Sequence, residues 1–157
     1  MAKPKDKSDL SPRIVNRRAA FDYHIDDRLE CGMELRGTEV KQLRLGQAQM
    51  SDAFAIVEGT QLFLHNLYID PYRHASEFHN HEPKRVRRLL AHRREIARLA
   101  KATQERGVTL IPTVIYFKDG RAKVEIGLAR GKKAFDKRQD LKKKAADRDI
   151  RRAMSRR

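Results

Sequence analysis

At 157 residues the chain has room for one domain of about 100 to 130 residues plus extensions, enough for one core and not for two. Thirty-six Lys and Arg against 21 Asp and Glu give a formal charge of +15, and charged residues make up 36% of the chain against roughly 25% in an ordinary domain. A single cysteine, Cys31, excludes an intramolecular disulfide, and neither a run of roughly 18 apolar residues nor a signal-like stretch at Lys3 to Ser8 is present, which predicts a cytoplasmic protein.

Residues 1–12 form a polar, Pro-containing segment that is expected to be disordered. A short basic stretch, Ile14 to Arg18, runs into Phe21, Tyr23 and Ile25, which alternate with Asp22, His24 and Asp26 and predict a strand beginning at Phe21. Gly37 to Gly46 changes period: Thr38 reads as an N-cap, Glu39 as a first-turn carboxylate, and Lys41 with Arg44 as a cationic face of a short helix. Phe54 to Leu67 reads as a hairpin turning at Glu58-Gly59-Thr60, and Tyr68 to Glu82 as a loop. Pro83 to Arg106 is predicted helical, as one helix or two with a break near His92, because Val86, Leu89, Leu90, Ile96 and Leu99 form an apolar side that stutters there. Val108 to Phe117 and Ala122 to Leu128 form the clearest strand pair, joined through Asp119-Gly120. Strands at both ends with helices between them fit a small antiparallel barrel with inserted helices, a mainly β fold, better than a parallel sheet.

From Gly131 to Arg157 the chain holds twelve Lys or Arg against four Asp, +8 of the total, with almost nothing to build a core. This segment is expected to be coil in isolation and helical once phosphates screen its repulsion, since Asp140 to Lys144 and Asp147 to Arg151 are favourable i,i+4 pairs. Such a run is the electrostatic footprint of a nucleic-acid partner. Its thin apolar line, Phe135, Leu141, Ile150 and Met154, argues against a membrane surface. The glycine-flanked stretch Gly127 to Lys133 is one residue short of a phosphate-binding loop and lacks its Ser or Thr; His79-Asn80-His81 lacks further metal ligands. No nucleophile with a base is indicated, so the reading is a non-enzymatic binding protein without a metal or cofactor. Arg17, Arg18, Lys41 and Arg44 could reach phosphates, and Tyr23 could stack on an unpaired base.

Asn16-Arg17-Arg18-Ala19, Gly37-Thr38-Glu39-Val40-Lys41-Gln42-Leu43-Arg44, Leu89-Leu90 with Arg94-Glu95-Ile96, Tyr116-Phe117-Lys118, the run Ala122 to Lys133, and Asp136-Lys137-Arg138 occur in this order. In these motifs, covering nearly everything after residue 14, the chain resembles the SsrA-binding protein family, also called small protein B. The resemblance implies a monomeric bacterial ribosome-rescue factor with an oligonucleotide-binding (OB-like) barrel. Its implied partners are transfer-messenger RNA, the stalled ribosome and elongation factor Tu carrying the alanylated RNA. It divides the chain into a lead-in (1–12), an RNA-binding body (13–130) and a tail (131–157) that enters the empty decoding centre and messenger channel. Carried onto matching positions, Asn16, Arg17, Arg18, Tyr23, Glu39, Lys41, Arg44 and Lys123 become RNA-face candidates. Gly131, Lys132, Lys133, Phe135, Asp136, Lys137 and Arg138 become the decoding-centre segment. Gln42 stands where the family often has Ser, and Phe135 where other members carry His or Tyr, which leaves stacking as its expected role. The alternative, a structural ribosomal or rRNA-assembly protein with a threaded tail, has the same composition.

Overall fold

The computed structural model describes residues 11–155 and is mainly β, with a few helices. The disorder expected for residues 1–12 falls almost entirely on positions outside the described residues. Strand β1 (Ile14–Val15) leads into helix α1 (Arg17–Asp22) and the long strand β2 (Tyr23–Met33). The expected strand start at Phe21 is thus corrected by two residues. Asn16 accepts the Ala19 N–H on its side-chain oxygen at 3.1 Å, and this cap starts a helix that the Phe21/Tyr23 alternation conceals.

Helix α2 (Gly37–Arg44) begins after Arg36 rather than after Thr38. Glu39 accepts the Arg36 backbone N–H at 2.7 Å, while Thr38 is engaged by the His81 ring at 2.9 Å. Short strands β3 (Ala48–Gln49) and β6 (Tyr68–Ile69) pair with each other, and β4 (Phe54–Glu58) with β5 (Gln61–His65) forms the expected hairpin.

The largest departure lies between Pro83 and Arg106. Its first part is strand β7 (Arg87–Leu90), and only Arg93–Ala102 is helix, α3. Arg87 and Leu89 point inward while Arg88 and Leu90 point out, so the Leu89-Leu90 pair straddles a sheet instead of sharing a helix face. The inward charge of Arg87 is tolerated because Glu39, far away in sequence, meets it.

Strands β8 (Val108–Lys118) and β9 (Arg121–Gly131) join through Asp119 and Gly120, both at positive φ (52° and 73°), the conformation that an Asp-Gly hairpin turn demands. Strand β9 pairs with β2 along nearly its whole length and with β8 on its other edge. The hydrogen-bonded pairings β8–β4, β4–β5, β5–β7, β7–β2, β2–β9 and β9–β8 therefore return to their starting strand. The chain crosses itself closely at Gly127, where a Cβ would lie 2.7 Å from Ile25 Cγ2. Cys31, Leu43, Leu62, Leu64, Leu110, Ile115, Val124 and Ile126 fill the core. Burial pushes the Cys31 thiol up to about 12, as suits a packing residue and not a nucleophile.

The tail is helical: α4 spans Ala134–Met154 and buries none of its own residues. The coil expected for it in isolation is not what the structure has. Asp136 accepts the Lys133 N–H at 3.2 Å and caps the start, and the root of the helix is tied to the body by ion pairs described below.

Candidate nucleic-acid interface

Between β2, β7 and β9 lies an open groove of about 540 Å³, lined by Leu29, Glu30, Gly32, Leu90, Ala91, His92, Glu95 and Lys123. Three chemistries converge there. Lys123 supplies a cation, Leu90 is 50% exposed and offers an apolar face, and Glu30 offers a carboxylate. The Tyr116 hydroxyl donates to Glu30 and Lys118 lies 3.6 Å from it. The Tyr116 hydrogen bond, with Lys118 and Lys123 nearby, holds the Glu30 carboxyl below the usual range. Burial and the bond to Glu30 in turn raise the Tyr116 phenol to about 12. A cation for phosphate, an ionised acceptor for base amino groups and an apolar platform suit a nucleotide. Of this set only Lys123 stands among the RNA-face candidates that the sequence offers. Leu90 carried a signal, because a strand with Leu89 inside must turn Leu90 out, but the helical reading of 83–106 hid it.

A second patch surrounds α1. Tyr23 is half-buried against Ala19, Ile111 and Ala129, and with Arg18 it lines an open cavity of about 450 Å³. Arg18 is exposed and shared between Asp22 (3.2 Å) and Asp52 (3.3 Å). Arg17 is exposed, with no hydrogen-bond or ion-pair partner among the described residues. Asn16 is different: its amide donates to the carbonyls of Met50 (3.1 Å) and Pro112 (2.9 Å), its oxygen caps α1, and it is buried. Expected on the RNA face, Asn16 instead anchors α1, because every polar atom of its side chain is already engaged.

Glu39 is likewise corrected. It is fully buried in an ion cluster, with Arg87 Nε at 2.8 Å and Arg85 Nη2 at 2.7 Å. Burial works to raise its carboxyl, yet the donors from Arg85, the Arg36 backbone and Arg87 outweigh this and hold it below the usual range. Glu39 therefore orients Arg85 and Arg87 and is spent inside the body. Lys41 and Arg44 are exposed but lean on separate rings, the Lys41 ammonium 4.7 Å from Tyr72 and the Arg44 guanidinium 4.5 Å from Phe117. Arg44 also donates to the Gly120 carbonyl at 3.3 Å.

The tail root packs on the end of α1. The Lys132 N–H donates to the Asp22 carbonyl at 2.9 Å, and its ammonium reaches Ala20 O (2.9 Å) and Asp140 (2.6 Å). Lys137 donates to Asp22 at 2.8 Å, and Asp136 lies 3.6 Å from His24. The Lys137 bond leads the causes that hold Asp22 below the usual carboxylate range. Gly131 ends β9, Phe135 is 63% exposed, and Lys133 and Arg138 project outward. Among the described residues no group of three His, Cys, Asp or Glu is placed to hold a metal, and no helix is long and apolar enough to cross a membrane. His81 is consumed by Thr38 and the Ile69 carbonyl (3.1 Å), so the His79-Asn80-His81 stretch is structural.

The SmpB protein family model matches residues 13–156. An SsrA-binding protein of Geotalea uraniireducens is 49% identical over 143 residues, which span 90% of this chain and 94% of the relative. That of Staphylococcus carnosus is 49% identical over 154 residues, spanning 98% and 97% respectively. Among solved structures, one described as "tmRNA-SmpB: a journey to the center of the bacterial ribosome" superposes with a TM-score of 0.68 at 48% identity, covering 78% of this chain and 86% of the other. With the motifs in order, the β body in place and half of all positions shared along nearly the full length, the chain belongs to the SmpB protein family.

Proposed function

We propose that this protein is an RNA-binding ribosome-rescue adaptor. Its body, an OB-like barrel, holds the tRNA-like domain of transfer-messenger RNA, and its tail helix occupies the empty decoding centre and messenger channel of a stalled ribosome. It acts in the cytoplasm and changes no covalent bond. The observation that carries this reading is the separation of the cations into two sets. One set rings a β body that also offers a nucleotide-sized groove, and the other lies on a 21-residue helix with no buried residue of its own. A helix without a core to serve is best explained by a surface it meets elsewhere.

Within this reading Lys123, Arg17, Arg18 and Tyr23 contact the first RNA, with Lys41 and Arg44 on a flank. Lys132, Lys133, Phe135, Asp136, Lys137 and Arg138 follow Gly131 as the segment that meets the ribosome. The test is a protein ending at Gly131. It should bind the tRNA-like domain with nearly full affinity yet fail to support tagging of a nascent chain on a ribosome stalled without a stop codon. If RNA binding and rescue fall in parallel, the tail belongs to the first RNA interface and the two-site reading is wrong.

A further inference from the structure

The groove wall formed by Leu90, Ala91 and His92 continues directly into α3, whose outer face breaks an electrostatic rule. Arg93 and Arg94 are the first two residues of this helix, where the dipole favours carboxylates and disfavours cations. Both are exposed, and neither has a hydrogen-bond or ion-pair partner among the described residues. Lys101, two turns on, is also exposed and unpaired among them. Arg98 meets only Asp27, at 3.3 Å, with both side chains about half exposed, an arrangement that contributes little and that a stronger anion displaces. The inner side, with Ile96 and Leu99 buried, accounts for why the helix docks; nothing in the fold accounts for four cations outside. A local rule broken without an internal compensation marks a surface shaped for a partner.

We infer that the outer face of α3 docks the phosphate backbone of an RNA stem, with Arg93, Arg94, Arg98 and Lys101 neutralising phosphates of the same RNA that enters the Lys123 groove. This deepens the proposed function and rests on it. Continuity supports one RNA, because His92 and Glu95 at the head of α3 line that groove. Chemistry selects backbone over bases: from Arg93 to Lys101 the exposed positions are Arg, Ala or Lys, with no aromatic ring to stack and no amide to read an edge. Ala97, in the middle of the stripe, leaves room for a sugar-phosphate chain to approach.

The experiment uses the full chain carrying Arg93→Gln, Arg94→Gln and Lys101→Gln together, titrated with the tRNA-like domain over a series of KCl concentrations, beside wild type and Lys123→Ala. The triple variant should bind more weakly, with a salt slope shallower by about three units, one for each lost phosphate contact. Its melting temperature should stay the same or rise, since removing cations from a helix N-terminus relieves the dipole. Wild-type slope and affinity in the triple variant, while Lys123→Ala weakens binding, would overturn the α3 dock and leave the groove standing. A lowered melting temperature would make the arginines structural and overturn it equally. Failure of the wild type itself to bind this RNA would remove the proposed function first.

Discussion

At Glu39 a single carboxylate serves two arginines and a helix N-terminus in a buried site, so its loss strands a buried guanidinium. Glu39→Gln should destabilise the body by about 3–5 kcal/mol, measured by urea unfolding at neutral pH. Because the folded carboxyl lies below the ordinary value of 4.5, the stabilisation it provides is present above that value and is lost as pH falls through the depressed one. The wild type should therefore lose stability on acidification below about pH 4.5 more steeply than the Gln variant, which has no such group to protonate. A parallel acid profile in the two proteins would show that the cluster is not the titrating unit. Asn16 makes a sharper residue-scale case. Asp caps an isolated helix as well as Asn does, but here it would set a carboxylate against the Met50 and Pro112 carbonyls. Asn16→Asp is expected to lower the melting temperature at least as much as Asn16→Ala; retention of wild-type stability by the Asp variant would mean that the cap alone matters.

Among the elements, α4 is the one whose stability comes from its root. Lys132, Asp136 and Lys137 are tied to α1 and β2 and Asp140 holds Lys132, while from Leu141 onward the helix is exposed, with Lys144 leaning toward the Phe21 ring. Hydrogen exchange should find protection over the first three turns decaying toward Met154, and Asp22→Asn should erase much of it by releasing Lys137 without altering the β body. Uniform protection along α4 in both proteins would contradict this. The elements also differ in how far they could be read from sequence. The β8–β9 hairpin was legible because its signals are local: strict alternation and an Asp-Gly turn. Helix α1 was not, because six residues give too short a period to compete with the Phe21/Tyr23 alternation, and its start rests on an Asn held by carbonyls from two other segments.

For the molecule as a whole, charge and fold are separable. The segment after Gly131 carries +8 of the +15, yet among its described residues none is buried. A protein ending at Gly131 should therefore melt within a few degrees of the full chain, while its non-specific binding to polyanions at low salt falls sharply. A large drop in melting temperature would mean that the contact of α4 with α1 is part of the core.

Composition, net charge, the basic tail and the ordered motifs were enough to identify the family and to forecast a mainly β body, because these are properties of local pattern and of the chain's total charge. The tertiary structure decided where the polar residues point. Asn16 and Glu39 read as RNA contacts in sequence, and only the return of distant strands shows them spent on internal carbonyls and guanidinium groups. Strand β7 read as helix because its inward arginine makes sense only beside a carboxylate 48 positions away. Glu30, Leu90 and Lys123 come from three separate strands, and they become one groove only when β2 pairs with both β7 and β9. Long-range pairing is a free-energy decision of the whole chain, and no window of sequence contains it.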